Sequence, residues 1–306
     1  MEEASGPEFR IGIIGAGRMG RTHLLAITGS PLVTVAGVVE PDARNRELVS
    51  GVPAFGTLDD LLAATAIDGA LVAAPTDRHV AVLGQVMAAG IPVLCEKPCG
   101  LTVAQASENA SLAQQTGLVL QVAYWRRFVP DLVALRQRIL DGELGEILAV
   151  NCSQWDQAPP SEAFRTSSGG IYADMGVHEF DQIRWLTGQD FLSVHAAEAG
   201  AHDGDPDCAQ LVASLDGGST AMISLGRWYP AGDSVKVEVY GTKGAAQSWF
   251  LHPVGGEAVF HRALRQQAED FAALVRSGAG SGARAADAVA ALKIAELARA
   301  HGRRNG

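Results

Sequence analysis

Residues 9–20 read FRIGIIGAGRMG. A short, β-branched apolar run passes directly into G-x-G-x-x-G, and helical spacing follows to about Thr28. This order of strand, glycine loop and helix constrains the fold more than any other feature of the chain. An apolar strand without polar alternation is buried on both faces. Gly15 permits the tight turn, Gly17 lets a pyrophosphate approach the backbone, and Gly20 lets the helix pack close to the sheet. Ala16, Arg18 and Met19 complete the loop, and the helix N-terminus offers N–H groups to phosphates. A glycine turn without a ligand can carry the same letters; the strand before and the helix after favour the nucleotide reading.

The pattern repeats. LVTVAGVVE (32–40), DGALVAAP (68–75), IPVLCEKP (91–98) and LVLQVAYW (118–125) are four further apolar strands. Between them lie a small helix opened by Thr57, with Asp59 and Asp60 in its first turn, and helices over 79–90 and 103–117, each closed by glycine. Such alternation with short links predicts a doubly wound α/β domain over residues 9–124. Residues 125–306 follow another pattern. A helix over 129–141, a turn bracketed by Gly142 and Gly145, a strand over 146–156 and a helical stretch over 169–188 come first. Strand-like segments at 193–199, 209–218, 219–228, 234–242 and 245–251 follow at the spacing of an antiparallel sheet. Two helices, 263–278 and 286–302, close the chain around the loop GAGSGA. The expectation is an α+β domain with a large, mostly antiparallel open sheet, its last helix packing back on the first domain. That sheet is also where a homodimer or homotetramer is expected to form.

The chain has 306 residues, 47% hydrophobic and 19% charged, with a net charge of -10. There is ample core material, and the acidic surface argues against nucleic acid and anionic membranes as partners. No apolar run approaches the ~20 residues of a membrane span. The first eight residues, MEEASGPE, lack the basic start of a signal peptide and read as a disordered or added lead. Cys95, Cys99, Cys152 and Cys208 form no C-x-x-C and read as buried free thiols, as in a reducing compartment. A soluble, cytoplasmic protein without a metal centre is expected.

Glu40 ends the second strand, twenty residues after Gly20, where an acid hydrogen-bonds a ribose 2′-OH. A carboxylate there repels a 2′-phosphate, so NAD is favoured over NADP, although Arg44 and Arg46 stand close enough to reach a phosphate. Ala74, Pro75, Thr76 and His79 follow the third strand at the sheet edge where ligands sit. A plain turn capped by Thr76 or Asp77 explains them equally well. Glu96 and Lys97 end the fourth strand, on the same edge. Lys97 is suited to place a cation on a substrate oxygen, and Pro98 holds it extended; a solvated surface lysine is the ordinary alternative.

CEKP, preceded by APTDRH and the glycine loop, resembles the glucose-fructose oxidoreductase / inositol dehydrogenase family of NAD(P)-dependent enzymes. The resemblance continues through YWRRFVP, ELGEI, GG-x3-D-x-G-x-H-x2-D, VEVYGTKG and the closing helices, over essentially the whole chain from residue 9. It implies a Rossmann domain followed by a sheet-based substrate domain, and oxidation of a secondary alcohol on a sugar or cyclitol, or the reverse. The motifs resemble inositol 2-dehydrogenases most. The resemblance gives Lys97, Asp174 and His178 the catalytic roles and makes Arg127 a substrate contact. The chain is shorter than typical relatives around residues 250–262.

Oxidising a secondary alcohol requires a hydride acceptor, a base for the hydroxyl proton and a partner for the developing alkoxide. An imidazole is the side chain best matched to proton transfer near neutral pH, which suits His178 to the role of base, with Lys97 stabilising the alkoxide and relaying the proton. The converse, Lys97 as base and His178 as substrate donor, stays open. Asp174 would orient the imidazole or bind the substrate hydroxyl. Arg127, Trp155, Asp156, Tyr172 and Asp181 are further candidates for hydroxyl recognition, with core packing the stronger reading of Trp155. On an α-helix, steps of four and seven return to within about 40°, so Asp174, His178 and Asp181 would share a face. Gly169 and Gly170 would let the chain pass close to the ligand. A metal site on that face lacks a second His or Cys at ligand spacing. The rival readings are an NADP-linked keto-sugar or imine reductase and a non-catalytic dinucleotide-binding regulator; the latter would be expected to lose Lys97, Asp174 and His178, and all three are present.

Overall fold

The computed structural model describes residues 8–202 and 204–305, so that residues 1–7 of the lead lie outside it. The chain divides into two compact units. The first contains strands β1 (Phe9–Ile14), β2 (Val33–Val39), β3 (Ala54–Phe55), β4 (Gly69–Val72), β5 (Val93–Cys95) and β6 (Leu120–Val122). Helices α1 (Arg18–Ile27), α2 (Ala43–Arg46), α3 (Leu58–Ala64), α4 (His79–Ala88) and α5 (Val103–Thr116) connect them. The strands pair in parallel in the order β6-β5-β4-β1-β2-β3. Strand order reverses next to β1, so the glycine loop after β1 and the ends of β4 and β5 share the sheet's carboxyl edge. The two-residue β3 was not legible in the sequence, being too short to carry a period.

The second unit opens with a single 3₁₀ turn (Trp125–Phe128) and α6 (Pro130–Leu140), which has proline in its first turn. Strand β7 (Ile147–Trp155), helix α7 (Glu162–Ser168), a π-helical turn (Tyr172–Gly176) and α8 (Val177–Thr187) follow. Five strands then complete the sheet: β8 (Phe191–His202), β9 (Asp205–Leu215), β10 (Thr220–Gly226), β11 (Ser234–Gly241) and β12 (Gly244–Leu251). Its order is β12-β11-β7-β10-β9-β8, antiparallel except for the parallel pair β7–β10. One face buries Val150, Leu211, Ile223 and Val237, while the alternate positions of the other strands expose Val212, Met222, Tyr240 and Trp249.

The stretch before α8 adds one helix to the sequence reading and corrects one expectation. Helix α7 was not foreseen, although Ser161 caps it by accepting from the Phe164 N–H at 3.3 Å. The stretch 169–188 is also not one α-helix. Gly169 and Gly170 both have left-handed backbones, at φ +83° and +78°. Gly169 terminates α7, and the π turn follows.

Helix α9 (Gly256–Ser277) begins earlier than the periodicity indicated. Residues 264–286 belong to the first unit, not the second. The reason is packing: Ala268, Phe271 and Ala272 of α9 share one core cluster with Phe9, Ile11 and Ile13, and Phe271 meets Phe9 edge to face at 5.8 Å. Part of the loop GAGSGA is structured too. The edge strand β13 (Ala283–Arg284) pairs antiparallel with β6, where a side chain on Gly282 would strike Gln121. Helix α10 (Ala285–Asn305) ends the chain. No helix among the described residues is long and apolar enough to cross a membrane.

Candidate active site

In the first unit the glycines occupy the positions their chemistry requires. Gly15 has φ +108°, and a Cβ there would come within 2.7 Å of the Ala73 carbonyl oxygen. A Cβ on Gly20 would collide with the Gly15 carbonyl oxygen. Around Gly17 the equivalent position is open, with nothing within 4 Å, and no side chain caps α1. Backbone donors at a helix start beside open space fit a pyrophosphate. Arg18 is exposed and Met19 partly so, whereas Ala16 is buried. The Ala16 N–H donates to Glu40 Oε2 at 2.8 Å, and the Asp42 N–H donates to Glu40 Oε1 at 3.0 Å. Glu40 therefore props the loop, and a carboxylate has acceptor capacity left for ribose hydroxyls. Arg46 donates to the Glu40 and Pro41 carbonyls at 2.6 and 2.7 Å. These groups fit NAD.

Ala74 and Thr76 are partly buried and Pro75 is exposed, and no side chain caps the short turn that begins at Thr76. His79 and Glu96 do not fit the dinucleotide contact expected of them. His79 is 1% exposed, with Nδ1 2.8 Å from the Pro98 oxygen and Nε2 2.9 Å from the Ala74 oxygen. Burial holds its pKa below the ordinary value, against the pull of the two carbonyls. Glu96 is buried against His23, Oε1 to Nε2 2.7 Å, and its Oε2 accepts from the Lys97 N–H at 3.1 Å. Burial alone would raise the Glu96 carboxyl; His23, with Lys97 and His79, outweighs it and holds the carboxyl below its usual range. Both residues are occupied in fixing the strand ends. Lys97 is partly buried and joined to Pro98 by a cis peptide bond.

In the second unit the carboxyl ends of the parallel neighbours β7 and β10 bring Asp156 and Arg227 together, Trp155 lying in register with Gly226. The Asp156 N–H donates to the Gly226 oxygen at 2.9 Å. Arg227 is fully buried and reaches Asp174 at 3.5 Å and Asp205 at 3.1 Å. Burial and the nearby Asp174 lift the Asp156 carboxyl to about 6, with Asp233 adding to the rise and Gln154 and Arg227 opposing it. His178 is buried at 6% exposure, its ring edge to face with Tyr124 at 6.0 Å. Asp174, Asp156 and Arg227 thus form a polar cluster, with Asp174 four residues before the buried His178.

Several expected members lie elsewhere. Asp181 does not share the Asp174 face, because the i→i+5 bonding of the π turn adds a residue to the winding between them. It faces Arg127 instead, in a two-pronged pair at 2.9 and 2.6 Å. Arg127 also contacts Asp287 at 3.3 Å, so the guanidinium assigned to substrate is committed to two carboxylates. These hold its pKa above the ordinary value although burial opposes them. Burial raises the Asp181 carboxyl even against Arg127. Tyr172 is 2% exposed and donates to Glu198 Oε1 at 2.7 Å. Burial and that carboxylate raise its phenol. Trp155 packs over Gly226 and donates to Ser224 at 3.0 Å, the packed-aromatic alternative. Gly169 and Gly170 approach protein: a Cβ on Gly170 would meet Asp205 Oδ1, which accepts from the Ile171 N–H at 2.7 Å. Among the described residues no group of three or more His, Cys, Asp or Glu is placed to hold a metal ion.

Arg227, Arg126, Glu179 and His23 escaped the sequence reading. Arg126 is buried and donates to Glu179 Oε1 and Gln154 Oε1, both at 2.6 Å. The one signal for Arg227 was a lone cation at the end of an apolar strand.

Comparison with known proteins agrees with both halves. Residues 9–124 match the profile described as an oxidoreductase family with an NAD-binding Rossmann fold, and residues 132–247 match the GFO/IDH/MocA C-terminal domain. The chain is 48% identical to the rhizopine catabolism protein MocA of Rhizobium meliloti, across 95% of this chain and 94% of that one. It is 30% identical to an inositol 2-dehydrogenase of Rhizobium meliloti strain 1021, across 94% and 95%. A solved structure of a protein assigned as a myo-inositol dehydrogenase, from Sinorhizobium meliloti 1021, superposes with a TM-score of 0.91 at 29% identity, covering 97% and 98%.

Proposed function

The chain belongs to the GFO/IDH/MocA family of NAD-binding oxidoreductases that act on CH–OH groups, and from that premise we propose that it oxidises a ring secondary alcohol of a cyclitol or a related sugar. The observation that carries this reading is the polar cluster of the second unit. Arg126, Glu179, Arg127 and Asp181 are consumed in internal ion pairs, whereas Asp156 and Asp174 lie beside one buried guanidinium, Arg227, that Asp205 also holds. Carboxylates fixed in this way match the hydroxyl donors of a polyol.

NAD, when bound, supplies the hydride acceptor. The glycine loop would hold its pyrophosphate and Glu40 its ribose, and the Glu40 carboxylate would repel the 2′-phosphate of NADP. His178 takes the proton from the substrate hydroxyl, Asp174 holds hydroxyl and imidazole in register, and Lys97 stabilises the alkoxide as it forms. Asp156 accepts from a neighbouring hydroxyl, while Arg227, fully buried between Asp174 and Asp205, holds the Asp174 carboxylate in place. The exposed apolar face of the second sheet is where a second copy of the chain associates; sedimentation of a charge-substituted Met222 variant, expected to run as monomer, tests that part.

The functional test is a panel of cyclitols and sugars followed by NADH absorbance. Turnover of a cyclitol with NAD, and at least about tenfold less with NADP, is expected for one lost favourable contact. Activity confined to non-polyol substrates, or a preference for NADP, would contradict the reading.

A further inference from the structure

We propose that His23 and Glu96 form a buried positioning pair that couples the dinucleotide-binding helix to the backbone of Lys97; the inference rests on the role assigned above to Lys97. The linkage is short. Helix α1 presents the glycine loop at its start and His23 one turn further on, fully buried. His23 Nε2 lies 2.7 Å from Glu96 Oε1, and the other carboxylate oxygen accepts from the Lys97 N–H at 3.1 Å. One carboxylate therefore bridges the helix and the lysine backbone.

Neighbouring contacts hold the same segment. The Glu96 N–H donates to the Val72 oxygen of β4 at 2.8 Å. Cys95 Sγ lies 3.2 Å from the Glu96 oxygen, and His79 bridges the Pro98 and Ala74 carbonyls. These bonds fix the backbone on both sides of Lys97 without touching α1, whereas the His23–Glu96 contact reaches it. A buried imidazole–carboxylate pair is a poor source of net stability, because desolvation offsets its attraction. Its geometric consequence is specific. A lysine with four rotatable carbons delivers its ammonium reproducibly only from a fixed backbone, and an error of about 1 Å in such placement costs about 100-fold in rate. His23 and Glu96 are accordingly positioning residues, acting through Lys97.

The test compares two variants with wild type in kcat, KM, NADH affinity and melting temperature. Glu96→Gln keeps a link: its amide oxygen accepts from the Lys97 N–H and its NH₂ faces His23 Nε2. Turnover within about tenfold of wild type is expected. The double variant His23→Leu with Glu96→Leu removes both polar partners without stranding a buried charge, so a folded protein is expected. Its kcat is expected to fall about 100-fold with KM and NADH affinity little changed. If the double variant unfolds, Glu96→Ala, which removes the carboxylate bridge and keeps His23, replaces it with the same expected loss. Wild-type turnover in the folded variant, or a loss seen wholly in NADH affinity, overturns the positioning pair, as does Glu96→Gln being as slow as the double variant. Lys97→Ala is measured alongside. If it turns over like wild type, the role of Lys97 itself is wrong; if it is inactive while the double variant is not, only the positioning pair falls.

Discussion

Asp156→Asn separates recognition from stability at the polar cluster. Asp156 ends β7 beside Arg227, and burial together with Asp174 raises its carboxyl from 3.8 to about 6. In the unfolded chain it titrates at the lower value. Between the two values the folded state binds the proton more tightly, so the stability it contributes is complete below about pH 4 and is lost as pH rises through about 6. A rise of that size corresponds to about 3 kcal/mol, withheld from the folded state whenever Asp156 is ionised. Asparagine cannot ionise, and its amide oxygen still accepts from Gln154, as Asp156 does at 3.3 Å. Denaturant unfolding at about pH 8 should find the variant more stable by about 2–3 kcal/mol, with the gain shrinking towards zero near pH 4. Turnover should fall at the same time, since the lost anion is a hydroxyl acceptor. A stability difference independent of pH, or a variant less stable at about pH 8, would refute the electrostatic reasoning.

Other perturbations discriminate among the remaining assignments. Gly20→Ala forces a methyl group into the Gly15 carbonyl; NADH affinity measured by fluorescence titration should drop by more than about tenfold. Glu179→Leu strands the Arg126 charge at a site where both side chains are at most 4% exposed. Denaturant unfolding should register a loss of about 3–5 kcal/mol, most of it recovered when Arg126→Met is added. Arg127→Ala should lower the melting temperature while leaving substrate KM within about threefold, because Asp181 and Asp287 occupy the guanidinium; a large rise in KM at unchanged stability would restore it as a substrate contact.

The first unit was largely legible because its signals are local. An unbroken apolar strand, a glycine at a fixed offset and a helix start each fall within a few residues, and Gly15, Gly17 and Gly20 need no distant partner to be interpreted. The short pieces β3 and β13 were lost for the opposite reason: two residues carry no period, and only their sheet neighbours make them strands. In the second unit the motif Asp174–His178 was visible, but the register of its flanks was not. A π turn leaves no mark in the hydrophobic pattern, and without it Asp181 lines up on the wrong face. The two arginines of WRRF look equivalent as letters. Burial gives Arg126 to Glu179 and Arg127 to Asp181, a division set by residues more than fifty positions away. His23 and Glu96 were hidden in the same way, 73 residues apart in sequence and 2.7 Å apart in space.

The central claim is that Lys97 and His178 carry the proton chemistry on a cyclitol while the glycine loop independently holds NAD. Single-turnover NADH formation by Lys97→Ala and His178→Ala, each saturated with NAD and the best cyclitol of the panel, tests it most directly. The expected result is a rate lower by about 10²–10⁴-fold in both variants, with NADH affinity close to wild type. Wild-type rates in both, or losses explained entirely by weakened NADH binding, would contradict it.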